Sequence, residues 1–198
     1  MGRKHREERR EKREDFVTKR SQQKRKNTLL AVGILGLIGL IVGYASITFV
    51  TMDSNVPGAP PGAGKLGDEH EHASLLVRIF GDKFDFSATT YQIKSSWIHF
   101  EESDGNTIHR HSSGVTVGYL FETLSIVIDE DCYIFSDGRQ FCTNEDYSLK
   151  YYINHKPVSS IRDYIFEDGD RILISFGSET PEEIEDQLFE LDAQIIKG

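Results

Sequence analysis

From Leu29 to Val50 the chain runs twenty-two residues without a charge, and only Ser46 and Thr48 are clearly polar. At ~1.5 Å per helical residue such a run crosses a hydrocarbon core of ~30 Å. A secretory apolar region is shorter, ~7–15 residues, and ends at a small-residue cleavage site. No A-x-A pattern and no lipobox cysteine follow here. The run therefore predicts a retained transmembrane helix over 28–52. Residues 1–27 hold twelve Lys/Arg against five acids, net +7, while the remainder of the chain carries −16. Cytoplasmic flanks are rich in Lys/Arg, so the expected topology is single-pass in the cell membrane with the N-terminus in the cytoplasm. Everything after Met52 is then read as extracytoplasmic, which decides what its histidines and cysteines can mean.

Five regions follow from composition. Residues 1–27 are a basic cytoplasmic tail whose mixed charges suit a solvated helix; it could meet anionic headgroups or RNA, though setting topology is the plainer role. Within the anchor, Gly39 and Gly43 have the spacing that lets membrane helices approach. Residues 53–67, with Pro57, Pro60, Pro61 and four glycines, read as a flexible linker. Gly62-Ala63-Gly64-Lys65 hints at a phosphate loop, but Ala59 and Leu66 stand where that loop needs Gly and Ser/Thr. Residues 68–177 are enough for one compact domain. Residues 178–198 form an acidic helix with Thr180, Pro181 and Glu183 as a start signal and Ile184, Leu188, Leu191 and Ile195 as an apolar stripe. That stripe suits packing on the domain or on a partner protein, and its acidity argues against a lipid surface.

The pattern over 68–177 predicts an α+β domain. Ala73, Leu75, Val77 and Ile79 alternate as in a strand, and Phe84 and Phe86 continue the alternation after a Gly81-Asp82 turn. Tyr91–Phe100 and Thr107–His111 flank Ser103-Asp104-Gly105, and Cys132–Phe135 and Gln140–Cys142 flank an identical Ser136-Asp137-Gly138; both read as hairpins. Between them Gly114-Val115-Thr116 leads into a helix expected over Val117–Ile126, whose Val117, Leu120, Phe121 and Leu124 share one face. Leu149–Ile153 and Arg171–Phe176 are expected to close the sheet.

Five of the seven histidines fall between residues 70 and 111. His70 and His72 are two apart, so on a strand they share a face, and His109 and His111 repeat the arrangement. His99 lies on the facing arm of the hairpin. Neutral imidazole is a good ligand for copper, zinc or nickel, and Asp68, Glu69, Glu71, Glu101 or Glu102 could orient the rings. Convergence depends on register. A two-residue loop pairs His99 with Arg110 and puts His99 and His109 on opposite faces. A three-residue loop with Gly105 in the left-handed bulge position puts His99 opposite His109 and Trp97 opposite His111. The second hairpin favours the latter, because its three-residue register sets Cys132 directly across from Cys142. Solvated histidines on an exposed strand face are the other reading. With no thioether cluster and the cysteines expected to be oxidised, Cu(II) or Zn(II) fits the donors better than Cu(I). His155, in a turn, and His5, in the tail, stand apart from this set.

An even cysteine count outside the cytoplasm favours a structural Cys132–Cys142 disulfide. A redox-active pair would be expected as C-x-x-C at a helix start, which is missing, so thiol-disulfide isomerase activity is the lesser alternative. No H-E-x-x-H or G-x-S-x-G occurs, and no catalytic residue or small-molecule substrate is indicated. Asp129-Glu130-Asp131 and Asp168/Asp170 read as solvated turn residues or weak cation sites rather than a general acid/base pair. The acidic exterior argues against nucleic acid.

Tyr151-Tyr152-Ile153-Asn154 through Asp168-Gly169-Asp170-Arg171-Ile172-Leu173-Ile174 resembles the closing strands of β-grasp domains, with His155 in place of the usual Gly. The whole chain is similar to a family of archaeal single-span membrane proteins, some called disulfide isomerases. The likeness rests on Gly43-Tyr44-Ala45-Ser46, His70-Glu71-His72, Asp85-Phe86-Ser87, Ile98-His99-Phe100-Glu101, Ile108-His109-Arg110-His111 and Gly114-Val115-Thr116. The expectation is thus an anchored β-grasp-like module that holds copper or zinc through His70, His72, His99, His109 and His111 and serves a membrane protein partner. A non-catalytic subunit of a membrane complex, with structural histidines, is the alternative.

Overall fold

A computed structural model describes residues 2–51 and 58–198, which belong to two separate compact units. The first unit is helix α1, Gly2–Thr51. Its stretch Gln23–Thr48 is long and apolar enough to cross a membrane, about 39 Å at ~1.5 Å per residue. Leu29, Leu35 and Leu40 are each at least 65% exposed, an apolar surface that lipid would cover and water would not tolerate cheaply.

The second unit is a mixed α+β domain. In chain order it contains β1 (Glu71–Ile79), β2 (Asp82–Lys83), β3 (Ile98–His99), β4 (Thr107–Arg110), α2 (Val117–Thr123), β5 (Val127–Ile128), β6 (Cys132–Ile134), β7 (Gln140–Cys142), β8 (Ser148–Ile153), β9 (Lys156–Val158), β10 (Arg171–Gly177) and α3 (Pro181–Ala193). Among the described residues the main sheet runs β3-β4-β1-β10-β8-β9, with β2 also paired to β1; β5-β6-β7 form a small second sheet. The first long strand and the last, β1 and β10, are parallel neighbours at the centre, with Leu75 beside Ile172 and Val77 beside Ile174. The other contacts of the main sheet are antiparallel.

Both faces of this centre are covered, so the middle of β1 is buried without alternation. One face carries Ala73, Leu75, Val77, Ile172 and Ile174 into the main core with Phe86, Phe100, Tyr133 and the α2 residues Val117, Leu120 and Phe121. The opposite face sets Leu76 and Leu173 against Ile184, Leu188 and Leu191 of α3. The α3 start is as its sequence suggests: the Thr180 hydroxyl accepts the Glu183 N–H and the Glu183 carboxylate accepts the Thr180 N–H. Full burial of Leu191 contributes about 2 kcal/mol to docking α3. Ile195 lies beyond the helix and is exposed, so it is not part of the packed stripe.

Three local expectations are corrected. The span Tyr91–Phe100 is strand only at Ile98–His99; a 3-10 turn occupies Thr89–Tyr91. Here the Gln92 side chain replaces a ladder, its amide donating to the Phe86 and Asp104 carbonyls. The central helix ends at Thr123, after which Ser125 takes a positive φ and Ile126 turns back to the Phe121 carbonyl. Finally, residues 58–67 are not a free linker. Gly64 N–H donates to the Ser113 carbonyl at 2.8 Å, Gly67 N–H donates to the His111 carbonyl at 2.6 Å, and Pro60 is buried. Gly114 makes this possible: its φ is +73° and a side chain there would collide with the Gly62 carbonyl. Residues 53–57 of the expected linker lie outside the described residues.

Within the small sheet β6 and β7 form a hairpin tied by a Cys132–Cys142 disulfide, with the two cysteines directly opposite. Its Ser136-Asp137-Gly138 loop has the three-residue form, with Gly138 at φ +89° and its N–H donating to Phe135.

Candidate metal centre

The histidine-bearing strands are built side by side. In the register of the sheet, His109 on β4 lies opposite His72 on β1 on one side and opposite His99 on β3 on the other. His70, just before β1, and His111, just after β4, extend the same faces by one two-residue repeat. The five rings form a closed circuit. Centroids are 4.7 Å apart for His70–His72, 4.8 Å for His72–His109, 6.0 Å for His109–His99, 5.0 Å for His99–His111 and 4.6 Å for His111–His70. His99 and His109 are buried, His72 and His111 half-buried, and His70 exposed, so the circuit opens to solvent at His70.

The register is the one the sequence favours, but its cause differs. Gly105 is not in the left-handed region; Glu102 and Ser103 are, at φ 56° and 57°, in a turn closed by Asp104 N–H to the Glu101 carbonyl. The Asp104 carboxylate then accepts the Asn106 N–H and the Thr107 hydroxyl, fixing the start of β4. Gly105 is needed for space instead, since a side chain would strike the backbone of Phe86 and Ser87. Trp97 meets His111 through the backbone, the His111 N–H donating to the Trp97 carbonyl at 2.9 Å, while the Trp97 indole joins the main core.

Two carboxylates touch the rings. Glu101 reaches His99 Nε2 with one oxygen at 3.3 Å and His109 Nδ1 with the other at 3.5 Å. Asp168 lies 3.2 Å from His72 Nδ1 and also accepts the His72 N–H at 3.0 Å. Of the acids singled out from sequence, Glu101 alone takes the expected place among the described ion pairs. Asp68 accepts the Ser113 N–H and hydroxyl, Glu69 pairs with Arg110, and Glu102 is a turn residue. Asp168, a turn residue by its sequence, belongs to the site. It reaches the rings because β10 is the parallel neighbour of β1, so the turns preceding both strands meet at one end of the sheet; Gly169 N–H donates to the His72 carbonyl there. His155 is elsewhere, in a left-handed hairpin turn with Asn154, 2.9 Å from Asp192 of α3.

Electrostatics favour the uncharged form of two of the rings, His109 and His111. Burial pushes His109 down to about 4, and the neighbouring His72, His99 and His111 add to this against the opposing pull of Glu101. Burial, then His99 and His70, also lower His111 despite Glu101. For Glu101 burial acts to raise the pKa, but the His99 hydrogen bond and the nearby imidazoles outweigh it and hold the carboxyl below its ordinary value. The His72 N–H does most to lower Asp168. His109 and His111 are thus neutral nitrogen donors beside ionised carboxylates.

Two ring nitrogens, His72 Nε2 and His109 Nδ1, are buried with no hydrogen-bond partner. The candidate ligand atoms of His70, His72 and His109 all lie within 4.8 Å of one another. Donors around tetrahedral zinc, with Zn–N ~2.0–2.1 Å, stand about 3.4 Å apart. Small side-chain rotations therefore separate the present arrangement from a coordinating one.

The disulfide lies in the other sheet. Among the described residues there is no free cysteine to act as an attacking thiol. A structural role predicts that Cys142→Ser lowers unfolding free energy by about 2–3 kcal/mol, the chain-entropy value for a loop this short. Denaturant unfolding of the intact chain in detergent checks this; unchanged stability would mean the bond is not structural.

Comparison with known protein families, curated proteins and solved structures gives no match for this chain.

Proposed function

We propose that this protein is a membrane-anchored, extracytoplasmic module that binds a divalent metal, Cu(II) or Zn(II), and delivers or holds it beside a membrane protein partner. The observation that carries the reading is the circuit of five imidazoles in which two buried nitrogens lack a hydrogen bond. One of them, His109 Nδ1, has only the Glu101 carboxylate at 3.5 Å. A buried polar atom without a hydrogen bond costs about 1–3 kcal/mol, and two in one cluster of imidazoles are accounted for by an ion that both would ligate. His72 has the arrangement of a metal ligand in detail: its Nδ1 is held by Asp168, which leaves Nε2 to face the cluster.

The orientation rests on the charge asymmetry across the apolar helix. The β-grasp assignment is supported by the central parallel pair of first and last long strands, the antiparallel neighbours on both sides, and a short helix packed on one face. The resemblance to single-span membrane proteins belongs to the same reading. Metal handling is favoured over disulfide isomerisation by the position of the only cysteines, away from the imidazoles and joined within one hairpin.

Equilibrium dialysis of the detergent-solubilised, chelator-treated chain against micromolar Zn(II) or Cu(II) at pH 7 tests the proposal. Retention of metal by the intact chain and its loss in His72→Ala are expected. No retention by the intact chain overturns it.

A further inference from the structure

The segment that follows α3 runs back along the sheet toward the histidines. On β1 the side chains of His72, Ser74 and Leu76 fall on one face, and Leu76 packs against α3 there. In the register of the sheet Ser74 has Arg171 of β10 on one side and Thr107 of β4 on the other. These three neighbours hold residues 194–198. The Arg171 guanidinium donates to the Leu191 and Gln194 carbonyls, and the Ser74 hydroxyl donates to Gln194 Oε1 at 2.6 Å. The Lys197 N–H donates to the Thr107 hydroxyl at 3.3 Å, and Lys197 Nζ lies 3.3 Å from the buried carboxylate of Asp104.

Two residues further along the same strands, the facing pair is His72 and His109. The segment reaches it. A Cβ built on Gly198 would stand 3.0 Å from His72 Cε1 and 3.1 Å from Nδ1, so the backbone here rests on the ring. Resting on the metal-binding reading, we infer that residues 194–198 are a strap that clamps His72 as a metal ligand and sets how fast the ion leaves.

The clamp completes what Asp168 begins. Asp168 engages Nδ1 and so fixes which nitrogen faces the cluster. One hydrogen bond at one ring atom still lets the imidazole swing about it. Gly198 on the ring blocks that swing, and only 14% of the His72 side chain is exposed. An ion on His70, His72 and His109 leaves as its ligands detach in turn. His70, exposed to solvent, detaches first; His72, held on two sides, is the slow step. Among the described residues, the polar fastenings of the strap beyond Gln194 are the Thr107 hydrogen bond and the Lys197–Asp104 pair. It can therefore lift while α3 stays docked through Leu188 and Leu191.

The test is the rate at which the zinc-loaded full chain in detergent surrenders Zn(II) to excess EDTA, followed by stopped flow. Deletion of residues 195–198 should speed release at least tenfold. Lys197→Glu, which sets two carboxylates against each other, should speed it severalfold, and Lys197→Arg should restore the unaltered rate. The denaturation midpoint of the metal-free chain should stay unchanged throughout, which separates a clamp from a segment that merely supports the fold. Release at the unaltered rate after the deletion overturns the clamp while leaving metal binding intact. If the unaltered chain holds no zinc, the metal-binding reading fails, and the strap is judged on the metal-free protein. Carbethoxylation of His72 by diethyl pyrocarbonate, read by peptide mass spectrometry, should then be severalfold faster after the deletion. Equal rates would show that the strap does not hold the ring.

Discussion

His109→Ala is expected to lower Zn(II) affinity at least a hundredfold and, in the metal-free protein, to flatten the acid side of the stability profile. Both effects come from one position. His109 stands between β1 and β3, opposite His72 and His99, so it is the ring that joins the two halves of the circuit. It supplies one of the two buried nitrogens that lack a hydrogen bond. The acid effect follows from its pKa of about 4 when folded, against an ordinary value of 6.5. Between these pH values the unfolded chain binds a proton at this residue that the folded chain refuses. The stability it contributes is complete above pH 6.5 and is lost as pH falls toward 4. The loss is as much as roughly 3 kcal/mol, at ~1.4 kcal/mol for each pH unit between the two values. His111, also lowered, adds in the same sense. Glu101, held below its ordinary value, contributes stability at neutral pH that is lost on further acidification. His109→Ala leaves a cavity, which lowers stability at every pH, so the slope is the diagnostic. Unfolding free energy measured between pH 7 and 4 should change by up to one proton less in the variant. An unchanged slope would mean that His109 titrates normally, and unchanged zinc affinity would remove it from the ligand set.

The parts of this site that are legible from sequence are those that follow from strand period. A two-residue repeat places His70 with His72 and His109 with His111 whatever the strands pair with. Pairing is a tertiary matter, and the local clue to it works through an unexpected route. The two Ser-Asp-Gly loops take different conformations because Gly105 is pressed against the Phe86–Ser87 backbone, whereas Gly138 is free in solvent. Both hairpins nevertheless reach the register with an odd number of residues between facing positions. Asp168 is invisible at that level, because a turn becomes part of a site only once β10 is known to lie parallel to β1. The packing of residues 58–67 is hidden by composition: Pro and Gly describe a flexible chain equally well as one fitted closely over Ser113 and Gly114. The α3 cap and stripe are legible because every determinant lies within a few residues of the helix itself.

Arg110→Met is expected to destabilise the domain by about 3–5 kcal/mol and to weaken metal binding tenfold or more, although Arg110 touches none of the imidazoles. Its position between two histidines hides it in the sequence, yet it is a nearly fully buried arginine. The guanidinium pairs with Glu69, donates to the Ser112 carbonyl at 2.8 Å and the Phe166 carbonyl at 2.7 Å, and lies 5.3 Å from the Phe166 ring centre. Methionine fills similar space but donates nothing. Two buried carbonyls would then lack partners at about 1–3 kcal/mol each, and the cation–π contact would also be lost. Replacing a whole buried ion pair by apolar side chains can be neutral, but removing one partner alone is not. Glu69 adds less to the cost because water can reach its partly exposed carboxylate. Glu69→Gln leaves the buried guanidinium without its counter-ion but still bonded to both carbonyls, so it should cost about 1–3 kcal/mol, less than Arg110→Met. The link to metal is mechanical. Arg110 holds the backbone at Ser112 and Phe166, and those segments lead directly to His111 and to the Asp168 turn that fixes His72. Chemical denaturation of the two variants, with zinc titration of each under native conditions, separates these contributions. If Arg110→Met unfolds within about 1 kcal/mol of the unaltered protein, water has replaced the guanidinium; if it is destabilised but binds zinc normally, the imidazoles are positioned by their strands alone.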